Sequence, residues 1–162
     1  MTLTDNYKTY VIEEKEDQTM SIEKNNDVQL YTVLESINEL TNDSMCVLNH
    51  LFVNEGNEPQ FESKFLKRTK YLQDVPGFKA LRFLRPQTKH RHYIILTLWK
   101  DRQSFYDWQS SDAYGKTHKK RGTKQGVDNK IVNRDLSYNV RIELANLETS
   151  IDIDNMFNLF YI

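Results

Sequence analysis

The sequence predicts an α+β fold in which, from residue 45 onward, the elements run strand, helix, strand, strand, helix, strand. Three observations carry that prediction. Residues 45–53, 78–85 and 92–99 are short runs rich in aliphatic, β-branched and aromatic side chains, set off by turn-forming clusters. Behind Pro59, the residues Phe61, Phe65, Leu66 and Leu72 recur at near-helical spacing. The polar stretch 86–91 between the two middle strands is short enough for a hairpin. This order is the split βαβ, or ferredoxin-like, plan, with an antiparallel four-stranded sheet and both helices on one face.

Ahead of that domain, residues 1–44 form an extension that reads as β-containing. Residues 7–14 and 28–33 are its expected strands, 15–27 a polar connection, and a short helix is expected through Leu40. Thr41, Asn42, Asp43 and Ser44 are turn formers and mark the boundary. The extension carries ten Asp or Glu against three Lys, near −7, which leaves the remainder near +6 in a chain of net charge −1. Such asymmetry suits either an acidic solvated arm or attraction between the two parts.

The first strand of the domain, 45–53, alternates in two registers. Met45, Val47, Asn49, Leu51 and Val53 point one way, and Cys46, Leu48, His50 and Phe52 the other. Both sets are mostly apolar, so the strand needs cover on both faces. Asn49 interrupts one of them, where an amide without partners would cost about 1–3 kcal/mol. Pro59 opens the following helix, since its missing N–H is unneeded in a first turn. Asp74, Val75, Pro76 and Gly77 make the turn into strand 78–85, and the hairpin returns as 92–99. Residues 101–121 read as two short helices and 130–144 as the last strand, so the main domain spans 45–144. The tail 145–162 is apolar near its end and is expected to pack on the body or on a partner.

Composition excludes several classes. At 162 residues the chain holds one generous domain, or a domain of about 100 residues with an extension. Cys46 is the sole cysteine, which rules out an intrachain disulfide and a cysteine-rich zinc site and suits a reducing compartment. The first residues lack a basic start with an apolar run, and no stretch approaches the roughly 20 apolar residues of a membrane span. A soluble, cytoplasmic protein without membrane contact is therefore expected. No nucleic-acid motif, P-loop, GxGxxG or Gly-x-Ser-x-Gly pattern occurs, so nucleic acid is not an expected partner. His90 and His92 in the hairpin loop lack nearby carboxylates or thiols and read as surface histidines.

The most specific pair is Trp108 and His118. One continuous helix would set them about 15 Å apart along its axis and roughly 80° apart around it, too far to share a small pocket. Ser110, Ser111 and Asp112 supply the break, because their side chains compete for backbone hydrogen bonds and favour helix starts.

The run Ile95 to Lys100, followed by Gln103, Phe105, Asp107, Trp108, Ser111, Asp112 and His118, resembles the signature of IsdG-like heme-degrading monooxygenases of the antibiotic biosynthesis monooxygenase superfamily. Pro76, Gly77 and Phe78 are similar to that family's turn into its second strand, and Met45 to Asn49 to its first strand with a functional Asn. The resemblance covers about residues 45–144. It implies His118 as the axial ligand of heme iron and Trp108 as the indole that presses on the porphyrin. It further implies Asn49 as the distal amide that hydrogen-bonds the oxygen ligand. An axial ligand, a steric wall and a polar handle are the levers a protein has over heme chemistry. Heme would be both cofactor and substrate, with dioxygen and an external electron donor or reductase, and iron would be released on ring opening, serving iron acquisition or detoxification.

The basic run Lys116, Lys119, Lys120, Arg121 and Lys124 offers charge-assisted bonds to heme propionates, Lys119 and Arg121 foremost, or else forms a solvated loop. The resemblance also implies the dimeric α/β-barrel arrangement. The length is closest to HmoB-like members, in which the N-terminal part replaces a second subunit. A pseudo-dimeric monomer with residues 1–44 covering the sheet is thus expected, with a homodimer as the alternative. Two rival functions stay open. One is a heme-binding or signalling protein without turnover, like the TRAP group, which shares the Gly77-Phe78-Lys79 and Leu84-Arg85-Pro86 segments but has no Trp matching Trp108. The other is a cofactor-independent monooxygenase acting on an aromatic substrate.

Overall fold

The computed structural model describes residues 1–4, 9–42, 45–88, 92–111, 128–143 and 152–154. Among these residues, nine strands and three α-helices follow in the order β1 (Thr2–Thr4), β2 (Thr9–Lys15), β3 (Thr19–Lys24), β4 (Asp27–Ile37), β5 (Met45–Val53), α1 (Glu58–Arg68), β6 (Phe78–Pro86), β7 (Tyr93–Trp99), α2 (Arg102–Gln109), α3 (Asp128–Ile131), β8 (Val132–Glu143) and β9 (Asp152–Asp154). From β5 to β8 this is the expected α+β ferredoxin-like order, with the sheet order β6-β7-β5-β8 at its centre.

The α/β-barrel that the resemblance implies does not form. The described strands make one open antiparallel sheet, ordered β1-β2-β3-β4-β6-β7-β5-β8-β9, and among the described residues no ladder joins its two edges. The reason lies in β4. Its first half pairs with β3 and its second half with β6, so the N-terminal strands continue the main sheet edge-on. A bulge between Val33 and Glu35 breaks the register there, and bulges sharpen twist and bend the strand.

The bend carries β2 and β3 across the face of the main sheet opposite the helices. Tyr10, Ile12, Met20 and Ile22 share a core there with Cys46, Leu48, Leu96 and Val140. Lys24 of β3 lies 5.5 Å from the Tyr138 ring of β8, which is five places away in the sheet order. The second core packs α1 and α2 on the other face, with Val47, Leu51, Phe61, Phe65, Phe83, Trp99 and Phe105. Both sides of β5 are thus covered within one chain. Burial pushes the Cys46 thiol well above its ordinary range, which makes it an inert core residue.

Two local expectations give way. Residues 15–27 are not merely a connection, because β3 lies inside them. Its hairpin turns on Asp17 and Gln18 at φ 57° and 55° and then on Asn25 and Asn26 at 49° and 71°, left-handed positions that Asn and Asp tolerate without glycine. The helix expected through Leu40 is instead the end of β4, held extended by its ladder to β6. On the helix-bearing face, Pro59 sits in the first turn of α1.

Helix α1 is tied to the sheet by Glu62, which accepts from Arg85 Nε and Nη2 at 2.8 and 2.7 Å and from the Tyr93 hydroxyl at 2.6 Å. The Arg85 bonds hold the Glu62 carboxyl below its usual range. A depressed carboxyl contributes stability above the usual value of about 4.3 and loses it as pH falls through the lowered value. Glu62→Gln is expected to cost about 1 kcal/mol at pH 7, since Arg85 is partly solvated. Urea melts from pH 3 to 7 should show that deficit constant above about pH 5 and shrinking below about pH 4. A deficit independent of pH would mean that charge has no part in it.

Candidate functional site

Strand β5 lies between β7 and β8, which places Asn49 opposite Ile95 on one side and Asn139 on the other. Asn49 is 3% exposed. It points the same way as Val47 and Leu51, whose core is the one that α1 and α2 cover.

Helix α2 is built to hold its apolar side on that face. Asp101 caps it in extended conformation, accepting from the Ser104 N–H and hydroxyl, both at 2.8 Å. Those bonds, the backbone one first, hold the Asp101 carboxyl below its ordinary value. Gln103 donates to Asp107 at 2.6 Å, one turn along. The helix stops after Gln109, where Ser110 N–H bonds back to the Tyr106 carbonyl and the Ser111 hydroxyl to the Trp108 carbonyl. The Ser110–Ser111 break is thus a C-terminal cap. Trp108 is 4% exposed, its ring 5.4 Å from Trp99 and 6.3 Å from Phe105.

The turn before β6 sets where α2 starts. Gly77 has φ +82°, and a Cβ there would overlap the Ser104 side chain. Lys100 N–H also donates to the Gly77 carbonyl at 2.7 Å. Glycine is required on both counts, the left-handed backbone and the close approach of the helix.

A polar group that sequence reasoning missed lies on the same face. Asn139 Oδ1 accepts from Arg141 Nε at 3.0 Å, and Arg141 Nη1 donates to the Tyr106 hydroxyl of α2 at 3.1 Å. The guanidinium lies 5.0 Å from the Phe105 centroid and 5.4 Å from that of Tyr106, within cation–π range. Both residues are buried, Asn139 at 2% and Arg141 at 5% exposure. Their signal in the sequence was weak: Asn139 and Arg141 alternate with Val140 and Ile142 as any half-wet strand would.

The structure thus brings Asn49 and Trp108 to one face of the sheet and adds Asn139, Arg141 and Tyr106. His118, Lys119 and Arg121, with the rest of the basic run, lie outside the described residues, as does His90. His92 donates through Nε2 to the Leu136 carbonyl at 2.6 Å and packs against Phe52 and Tyr138. A cavity of 640 Å³ lies elsewhere, beside α1, lined in part by Phe52, Glu58, Glu62, Arg85 and Tyr93. Among the described residues, no group of three or more His, Cys, Asp or Glu is placed to hold a metal ion, and no helix is long and apolar enough to cross a membrane.

What the described residues offer a heme is a steric wall and a polar floor. Trp108 is a flat aromatic side chain, and Asn49 and Asn139 put two amides, beside the Arg141 guanidinium, on a largely apolar face, Asn139 with a buried donor that has no hydrogen-bond partner. These fit a flat ring ligand that carries a polar atom.

Residues 44–120 match the family described as Antibiotic biosynthesis monooxygenase. Solved structures share the fold. A major regulator of staphylococcal pathogenesis is 19% identical over 90% of this chain and 84% of its own, with a TM-score of 0.71. LmHde, a heme-degrading enzyme from Listeria monocytogenes, is 13% identical over 83% of each chain, with a TM-score of 0.55. A variant of MhuD with two manganese protoporphyrin IX per active site is 20% identical over 63% of this chain and 95% of its own, with a TM-score of 0.51.

Proposed function

We propose that this chain, whose residues 44–120 match the antibiotic biosynthesis monooxygenase family, is a heme-degrading monooxygenase of that superfamily. That superfamily includes heme-degrading relatives and cofactor-independent oxygenases. The observation that carries the heme reading is the buried Asn49 amide on the apolar sheet face that α2 and Trp108 cover. Similarity to LmHde and MhuD supports it at the level of the fold.

Bound heme would supply the iron at which dioxygen, with electrons from an external reductant, is activated, and also the ring that is opened. The chain's own residues do the rest. Asn49 would present its buried amide to the ligand in a dry environment, where a hydrogen bond is stronger than in water. Trp108, clamped by Trp99 and Phe105, is a rigid wall that a ring ligand must accommodate. His118 would ligate the iron, and Lys119 and Arg121 would pair with propionates. The second face of the sheet is filled by strands β2 and β3, and this supports a monomer over a homodimer.

The test is to add heme, record the Soret band, and supply ascorbate under air. Wild type is expected to bind heme and lose the Soret absorbance with release of iron. His118→Ala should lack the ligated spectrum, and Asn49→Ala should bind heme yet degrade it at least about tenfold more slowly. Heme that stays intact on wild type would instead mark a binding or regulatory protein. Failure to bind it would favour the cofactor-independent chemistry of the superfamily.

A further inference from the structure

Asn139 has two amide ends in different situations. Its Oδ1 accepts from Arg141 Nε at 3.0 Å, and this fixes the flip of the group, because a guanidinium can only donate. Its Nδ2 is buried and has no hydrogen-bond partner. A donor left so destabilises the fold, and native proteins retain few of them without a use.

The side chain is also prevented from turning to find a partner. Arg141 is anchored to the Tyr106 hydroxyl and lies over the Phe105 ring, and both residues belong to α2, the helix that carries Trp108. Asn139 is the direct cross-strand neighbour of Asn49, and side chains so paired stand about 5 Å apart on one face. An oriented, dry donor therefore sits next to the amide already placed in the site.

We propose that Asn139 is a second ligand-facing amide, whose Nδ2–H donates to an acceptor atom carried by a flat ring ligand, and that Arg141 is the positioning residue that holds it there. The proposal deepens the heme reading and rests on it for the identity of the ring. The same acceptor chemistry is offered by the exchangeable axial ligand of a ferric heme and by the carbonyl oxygen of a quinone.

Asn139→Asp keeps an acceptor for Arg141 and the size of the side chain, but has no N–H to give. Asn139→Leu, or Asn139→Met should leucine prevent folding, removes the donor without adding charge. Ferric heme is titrated into each protein, and fluoride, a small acceptor, into each complex. Fluoride affinity is expected to fall about tenfold in both kinds of variant while heme affinity stays within about threefold. Arg141→Met should lose part of the fluoride affinity, and Arg141→Lys should recover some of it. Unchanged fluoride affinity in the uncharged variant overturns the proposal, since the donor then serves only a buried water or nothing.

Should wild type take up no heme, the heme reading fails by itself, and 1,4-naphthoquinone replaces heme and fluoride as the probe. Binding weakened about tenfold in both variants supports the second amide; equal binding, or none to wild type, overturns it.

Discussion

Trp108→Ala is expected to lower the unfolding free energy by about 3–5 kcal/mol, the cost of emptying a large aromatic site in a packed core. The thermal midpoint should fall by roughly 10 °C or more in a chain of this size. The indole is 4% exposed and contacts Trp99 and Phe105, so its removal leaves a void beneath the last turn of α2. Collapse into that void is limited because α2 is pinned at both ends, by the Asp101 cap with the Gly77 turn and by the Ser110–Ser111 stop. Calorimetry or urea melts check this. A loss below about 1 kcal/mol would mean that the indole is not part of the core.

A second variant separates packing from chemistry. Trp108→Phe retains an aromatic ring in the same place and is expected to cost only about 1–2 kcal/mol. If the indole is a wall against the ring ligand, this folded variant should bind heme normally and degrade it several-fold more slowly. If Trp108 only fills the core, its turnover will match wild type. The catalytic role proposed for Trp108 is compatible with its structural one, because the side chain that anchors α2 lies on the same sheet face as Asn49.

Legibility in the sequence followed how local each determinant was. Residues 45–53 could be read as a doubly covered strand because the apolar alternation in both registers sits within nine residues. Strand β3 could not: only Met20 and Ile22 mark it among charged neighbours, and its turns use Asp, Gln and Asn at positive φ where glycine would have been a clearer sign. The segment read as a helix through Leu40 was overruled by pairing with β6, some 45 residues away in the chain. The open sheet, and hence the absent barrel closure, depends on β4 pairing with both β3 and β6, a long-range choice that no residue type announces. Within the site, Asn49 stood out because it interrupts an apolar face. Asn139 and Arg141 acquire meaning only from the register that sets Asn139 beside Asn49 and from the packing of α2 over Arg141.

Arg82→Met is expected to destabilise the fold by about 2–4 kcal/mol, although methionine nearly matches the arginine stem in volume and leaves little cavity. Arg82 is 5% exposed and points from β6 into the space between the main sheet and the N-terminal strands. Its Nε bonds Glu14 of β2 at 2.7 Å, and its Nη1 bonds the Asn38 and Leu81 carbonyls at 2.7 Å and that of Ile37 at 3.4 Å. A buried ion pair can often be exchanged for apolar residues at no net cost when both partners are replaced. Here that is impossible, because three of the four acceptors are main-chain carbonyls that no substitution removes. The Ile37 and Asn38 carbonyls lie where β4 ends, Asn38 having turned to φ 60°, so the lost donor falls where the chain leaves its ladder. Glu14 contributes less, since it is half exposed and returns to water, and Glu14→Gln should cost under about 1 kcal/mol. The loss should also be local. Hydrogen exchange in Arg82→Met should speed up in β2 and β3 well before β5 and β7, because the pin joins the cover to the sheet rather than the sheet to itself. Uniform acceleration across all strands would show that Arg82 supports the main sheet instead. Cover that opens first would expose the Cys46 and Leu48 face of β5 and leave the Asn49 face in place, so the heme binding proposed for that face should outlast the N-terminal strands in denaturant.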